Sequence, residues 1–230
     1  AMREMAEWQY SSLPVGNQLA PGWFVDGMIE SPNAWSIGWH HWDVLPDGSL
    51  VIAMAEAVDH QASGAMIAAT TRAALTAHAG YRHTALQIMR RICDTLWQTN
   101  SADQLISMVY ARLDPESGAG EIVAAGGISG LISGTYGYRP LIRSDEAPLG
   151  TTFELTCTES TFQLRDHESL LLYGPGLEGD GVGQSLLGNT LKAAINEQQS
   201  PLTLIRREIA GHPIGKERGL LSLSRRCEGN

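Results

Sequence analysis

Residues 38–56, which read GWHHWDVLPDGSLVIAMAE, are the stretch that decides the fold. Within it, the segment Leu45-Pro46-Asp47-Gly48 places Pro and Gly where a tight chain reversal needs them. Residues 50–55 form a continuous apolar run, which is typical of a strand buried on both faces. Residues 34–44 predict a second strand on the other side of the turn. The stretch therefore predicts a β-hairpin.

The segments on either side of this hairpin predict a mixed fold. Helices are predicted at 2–10, 61–79, 84–98, 183–197 and 201–210, and the apolar residues of 84–98 recur every three or four positions. Further strands are predicted at 23–29, 105–113, 121–125, 128–134, 138–143, 151–157, 160–164, 169–173 and 219–225. This order favours an α/β fold of the α+β type, with two packed, mainly antiparallel sheets flanked by helices. Residues 1–12 are interpreted as an N-terminal helix or linker, and residues 13–230 as a single domain.

Composition excludes several classes of function. The 230 residues include 16 Lys and Arg against 25 Asp and Glu, a net charge of −9. This surface is unsuited to nucleic acid or an anionic membrane, since both attract clustered Lys and Arg. The three cysteines form no CxxC pair, and no apolar run reaches the ~20 residues of a membrane helix. The sequence therefore predicts a cytoplasmic protein in a reducing compartment, with no membrane segment.

Several short motifs occur in an order that matches a known family. They are Gln9…Ser12-Leu13-Pro14, Leu113-Asp114-Pro115-Glu116-Ser117-Gly118, Pro148-Leu149-Gly150, Leu171-Leu172-Tyr173-Gly174-Pro175-Gly176-Leu177-Glu178 and Glu217-Arg218-Gly219-Leu220-Leu221-Ser222-Leu223. Together with residues 38–61, they resemble the SpoIIE-type branch of the PPM metal-dependent serine/threonine protein phosphatases. The resemblance covers about residues 9 to 226 and implies the PPM phosphatase-like β-sandwich of that bacterial family.

The metal motifs of the family are altered in this chain. In the family, Asp residues in four motifs hold two Mn²⁺ or Mg²⁺ ions, which activate the water that attacks phosphoserine or phosphothreonine. The corresponding positions here are His40, Glu56, Pro175 and Arg218, whose charges sum to about 0 where the family has about −4. Pro175 offers no side-chain ligand, and Arg218 carries a permanent positive charge. A shift of one residue in the last motif would place Glu217 at the ligand position instead.

These substitutions predict a degenerate metal cleft with no assigned catalytic residue and no expected cofactor. If a metal binds at all, His40 and Glu56 are the expected ligands, and a zinc site that adds Asp59 or His60 is chemically available. Asp43 and His60 persist from the family motifs, and a structural role is the favoured interpretation for both. We also expect Glu56 and Arg218 to form an ion pair within ~4 Å. His40 or Asp43 is then predicted to line the same cavity.

Three functional hypotheses follow from the resemblance. The first is a pseudophosphatase that binds a regulatory protein, of the STAS anti-sigma-antagonist kind that the family acts on, under an upstream sensor domain. The second is an active phosphoserine or phosphothreonine phosphatase whose altered metal site uses His40, Glu56, Asp43 or Glu217. The third is a metal-free phosphoprotein or anion binder in which Arg218 replaces the metals as the cationic partner.

Overall fold

The structure, a computed structural model, describes residues 2–80, 82–99, 104–143 and 145–226. Within these ranges the chain forms six helices and eleven strands. The helices are α1 (Met2–Ser11), α2 (Ala62–His78), α3 (Ala85–Gln98), α4 (Pro175–Gly179), α5 (Gln184–Asn196) and α6 (Pro201–Ile209). The strands are β1 (Asn17–Ala20), β2 (Trp23–Glu30), β3 (Gly38–Val44), β4 (Leu50–Ala57), β5 (Ile106–Leu113), β6 (Ala119–Ala125), β7 (Ser129–Ser133), β8 (Tyr138–Arg143), β9 (Thr158–Gln163), β10 (Ser169–Tyr173) and β11 (Arg218–Arg225).

The strands form two sheets with antiparallel pairing throughout. One sheet has six strands in the order β1-β2-β11-β10-β7-β8, and the other has five in the order β3-β4-β5-β6-β9. The predicted hairpin is confirmed: β3 pairs with β4 from Val44 opposite Leu50 to Gly38 opposite Glu56. The turn between them is closed by the N–H of Gly48, which donates to the carbonyl of Leu45 at 2.8 Å.

Both faces of β4 are covered by other parts of the protein, which explains why its sequence is apolar without interruption. Ile52 and Met54 face the core between the two sheets, together with Leu172 and Leu221 of the other sheet. Ala53 and Ala55 face the opposite way, into the layer beneath α2 and α3. Successive strand residues point to opposite faces, so a strand covered on both sides is apolar at every position.

Helices cover the outer face of each sheet. Helices α2 and α3 pack side by side on the five-stranded sheet, as predicted for the segments 61–79 and 84–98. Helices α5 and α6 pack against each other and on the six-stranded sheet. Thr84 and Gln87 form a capping box at the start of α3. The predicted fold class, two packed antiparallel sheets flanked by helices, is therefore confirmed.

The predicted strand at 151–157 is wrong. This segment is irregular, and the strand of this region begins only at Thr158. It lies across α3 instead: Trp97 Nε1 donates to the carbonyl of Thr152 at 2.5 Å, and the rings of Trp97 and Phe153 meet edge to face. Its apolar residues are thus used in contacts with a helix rather than in a sheet. The short elements β1 and α4 were not predicted, because four or five residues carry too little periodicity.

Among the helices of the described ranges, none combines the length and the hydrophobicity that crossing a bilayer would require.

Candidate functional site

Two buried glutamates meet where the two sheets come together. Glu56 lies near the end of β4, and Glu217 directly precedes β11; their exposed fractions are 3% and 1%. Both border Gly38 of β3, which is paired with Glu56. A Cβ atom built on Gly38 would lie 2.7 Å from Oε1 of Glu217. The hairpin and the last strand therefore bring together two carboxyl groups that are far apart in sequence.

The two carboxyl groups are hydrogen-bonded unequally. Glu217 Oε1 accepts from Ser36 Oγ, and its Oε2 accepts from the backbone N–H of Ile37, both at 2.9 Å. Glu56 accepts from the backbone N–H of Gly176. Its Oε2 is buried and has no hydrogen-bond partner in the part of the chain that the structure describes. An ionised carboxylate in this position would be left incompletely solvated, which is costly.

The environment of Glu56 favours its neutral form. Burial raises the pKa of Glu56 to about 8, and the neighbouring negative charge of Glu217 acts in the same direction. Burial also raises the pKa of Glu217, against the hydrogen bonds donated by Ile37 and Ser36. A buried carboxyl group beside a second negative charge does not ionise easily. The pair therefore retains a proton near neutral pH.

Glycines make room for these carboxyl groups. A Cβ atom at Gly174 would overlap Oε2 of Glu56, and one at Gly176 would overlap the backbone carbonyl of Glu217. Pro175, the residue between them, begins α4 and places no donor atom in the site. A side chain at either glycine would have to displace a buried carboxyl group or the backbone beside it.

His40 lies on β3 and is buried, with an exposed fraction of 3%. Its ring rests on Gly27 of β2 and stacks on Trp42, with the ring centroids 5.2 Å apart and the planes 7° apart. Nε2 lies 3.4 Å from the carbonyl oxygen of Pro14, and Nδ1 has no partner in the described residues. Burial lowers the pKa of His40 to about 4, with Arg72 and His41 adding smaller effects in the same direction. The ring is therefore neutral and packed as a core residue.

Arg218 occupies a different compartment from the glutamate pair. Its exposed fraction is 1%, and its Nε donates to Oδ2 of Asp180 at 2.9 Å. Its Nη2 donates to the carbonyls of His212 at 3.0 Å and Pro213 at 2.6 Å. Its Nη1 lies 4.0 Å from Oε2 of Glu30. The guanidinium thus joins β11 to α4 and to the loop that precedes the strand.

The predicted ion pair between Glu56 and Arg218 is therefore wrong. Consecutive residues of an extended chain point in opposite directions, so Arg218 turns away when Glu217 enters the site. The same placement removes Arg218 as the cationic partner of a bound phosphate, because its donors are already used inside the protein. Glu217, which sequence reasoning held only as a shift of one residue, is the side chain that meets Glu56.

The other residues expected near the cleft are dispersed. Asp43 is exposed and paired with Val51, five positions along β3 from Gly38. Asp59 is exposed and lies in the turn before α2, where it accepts from the N–H of Gln61 at 3.0 Å. The backbone carbonyl of His60 accepts from the indole of Trp35 at 3.4 Å. We predicted that His40 or Asp43 would line a cavity together with Glu56. Asp43 does not lie near Glu56, so this prediction is wrong for Asp43.

The described residues contain no group of three or more His, Cys, Asp or Glu side chains placed to hold a metal ion. Two divalent cations would need several oxygen ligands with balancing negative charge. The site supplies Glu56 and Glu217, whose raised pKa values oppose ionisation. These residues do not fit a two-metal centre. Sequence reasoning missed the contributions of Ser36, Gly174 and Gly176. For the two glycines, the available signal was their position on each side of Pro175.

Comparison with known proteins identifies a family that matches this chain. The family model "Stage II sporulation protein E (SpoIIE)" matches residues 46–212. A search of curated proteins finds no significant match.

Solved structures share the fold at low sequence identity. The RsbU and RsbW domains of Rv1364c from Mycobacterium tuberculosis superpose with a TM-score of 0.78 at 18% identity, over 95% of this chain and 64% of that one. The SiaA-PP2C domain of Pseudomonas aeruginosa gives 0.78 at 14% identity, over 97% of this chain and 94% of that one. RsbX in complex with magnesium gives 0.68 at 10% identity, over 88% and 94%. The chain spans less than two thirds of the first of these structures. On the family match and the fold together, the chain belongs to the SpoIIE family and has the PPM phosphatase fold.

Proposed function

We propose that this chain is a catalytically silent SpoIIE-type domain, a pseudophosphatase, that acts in bacterial regulation by binding a partner protein. The observation that carries the proposal is the donor set of the cleft. Pro175 replaces one expected ligand, His40 is packed against β2, and Glu56 is neutral near physiological pH. A reaction that depends on two metal ions has too few ligands here.

The expected partner is a regulatory protein of the STAS kind. The support is the SpoIIE family itself and a structural neighbour that combines RsbU and RsbW domains in one chain. By the same resemblance, we infer a cytoplasmic setting, residues 13–230 as the folded unit and residues 1–12 as the segment through which an upstream sensor domain would act.

One observation favours a second candidate, an active phosphatase with an altered metal site. Oε2 of Glu56 is buried without a partner beside a second carboxyl group, and such an atom is an available ligand for a single cation. The positive charge of the bound cation would then favour ionisation of both Glu56 and Glu217.

Calorimetric titration with Mn²⁺ and Mg²⁺, followed by assay of a phosphoserine peptide in the same buffers, separates the two candidates. We expect no saturable metal binding and no turnover above a blank, for the chain and for Glu56→Gln alike. Turnover that requires Mn²⁺ and disappears in Glu56→Gln, but not in the exposed control Glu159→Gln, would establish the active phosphatase instead.

The binding half of the proposal needs its own measurement. A STAS-domain protein, in its phosphorylated and unphosphorylated forms, is titrated with and without EDTA. We expect an affinity that EDTA leaves unchanged and a phosphoserine that stays intact. Loss of binding in EDTA, or no binding of either form at about 100 μM, would contradict the proposal.

A further inference from the structure

A pocket lies between the N-terminal helix and the outer sheet layer, on the far side of β3 from the core between the sheets. It is bounded by α1, β3 and α2, and its volume is about 330 Å³. We refer to it as the α1–α2 pocket. Its walls are the indoles of Trp8 and Trp39, and the helix surface of Ala69 and Ala73 forms one side. Trp8 is 60% exposed, so a large apolar surface is left uncovered at the pocket mouth.

Arg72 is the charged group of this pocket. Its Nη1 donates to Ser12 Oγ at 2.6 Å, and its Nη2 donates to the backbone carbonyl of Ser12. Both acceptors are neutral, and burial lowers the pKa of Arg72 with no carboxylate acting against it. Among the described residues, none places a carboxylate within ion-pair distance of Arg72.

Three other arginines of the chain differ in this respect, whether they are buried or exposed. Arg218 pairs with Asp180, Arg112 with Asp47 and Arg139 with Glu168. A half-buried cation without a counter-charge is a costly arrangement, and an anion that enters the pocket would offset that cost. A guanidinium has five N–H donors, of which Ser12 uses two, so donors remain for a ligand.

We propose that the α1–α2 pocket binds a small amphipathic acid with a flat apolar body and one carboxylate. Apolar and aromatic walls with one convergent polar group are the usual make-up of a small-molecule site, and this volume lies at the lower end of the usual range. The planar guanidinium of Arg72 matches a carboxylate in shape. A doubly charged phosphate would leave a net negative charge in the pocket. The pocket borders the glutamate pair at Gly38, but the proposal does not depend on any phosphatase activity.

The probe is indole-3-acetate, and its neutral counterpart indole-3-acetamide is the matched ligand control. Each is titrated into the ¹⁵N-labelled chain, and amide shifts are followed by NMR. The acid is expected to saturate, with the largest shifts in α1 and α2 around Trp8 and Ala73. The amide is expected to bind at least about tenfold more weakly than the acid, because it lacks the negative charge that meets Arg72.

Two variants test the location. Arg72→Met keeps the apolar stem and removes the guanidinium. It is therefore expected to lower the affinity for the acid to that for the amide. Ala73→Trp fills the pocket while leaving the bonds between Arg72 and Ser12 in place, so it is expected to abolish binding of both probes even if Arg72→Met folds poorly. Arg91→Met, on the exposed face of α3, is the control and should bind as the parent chain does.

Equal affinity for acid and amide would overturn the proposal, as would unchanged binding in Ala73→Trp. Failure of indole-3-acetate to saturate at about 10 mM would also overturn it. So would binding of an acidic peptide at these residues without binding of indole-3-acetate, since the site would then serve a protein.

Discussion

Replacing Glu56 with Gln tests the buried carboxyl pair directly. The pKa of Glu56 is raised to about 8 in the folded chain, against an ordinary value of 4.5. Between these two pH values, the folded state keeps a proton that the unfolded state has released. Because the unfolded state binds fewer protons, the free energy of unfolding falls as pH rises through this window. Each pH unit changes it by about 1.4 kcal/mol.

The size of the effect follows from the same values. Over the whole window the loss is about 5 kcal/mol, and between about pH 6.5 and about pH 8 it is about 2 kcal/mol. Glu56 is only 3% exposed, so solvent screening does not reduce this figure much. Glu217 changes stability in the same direction, because burial raises its pKa as well. Its contribution remains after Glu56 is replaced.

Urea unfolding at three pH values across that range measures the effect. The parent chain is expected to lose about 2 kcal/mol, and Glu56→Gln to lose clearly less and to be the more stable protein at about pH 8. Glu159→Gln, an exposed position on β9, should follow the parent profile. Parallel profiles for Glu56→Gln and the parent chain would refute the conclusion that Glu56 is buried in its neutral form.

Three further changes probe the surroundings of the site. Arg218→Met leaves Asp180 buried without its cation and should lower the free energy of unfolding in urea by about 3–5 kcal/mol; adding Asp180→Leu should recover part of this, and no recovery would contradict the pairing. The neutral ring of His40, whose pKa is about 4 against 6.5, stabilises the fold above about pH 6.5 and loses that effect as pH falls towards 4. His40→Phe should therefore remove about 3 kcal/mol of acid sensitivity in thermal unfolding, and an unchanged acid profile would count against it. Gly174→Ala should cost about 1–3 kcal/mol by overlap with Oε2 of Glu56; if the loss persists when Glu56→Ala is added, the overlap is not its cause.

The sequence alone determined the elements whose signals are local. The turn at Leu45–Gly48 and the apolar run after it specify the β3–β4 hairpin, since turn chemistry and burial act over neighbouring residues. The three-and-four spacing in residues 84–98 specifies α3 in the same way. The absence of a side-chain ligand at Pro175 also follows from residue type, whatever the surrounding structure.

Only the tertiary structure decided which side chains share the cleft. Glu217 and Arg218 are neighbours, and a register change of one residue in β11 would exchange their directions. That register is set by pairing with β2, where Arg218 lies opposite Glu30, and by the hydrogen bond that the N–H of Ile37 donates to Glu217, 180 positions away in the chain. Likewise, residues 151–157 have the composition of a strand, but they pack against α3 and do not pair with a sheet. Contacts between distant segments carry no local pattern, so the meeting of Glu56 with Glu217 and of Arg218 with Asp180 emerges only when the chain is folded.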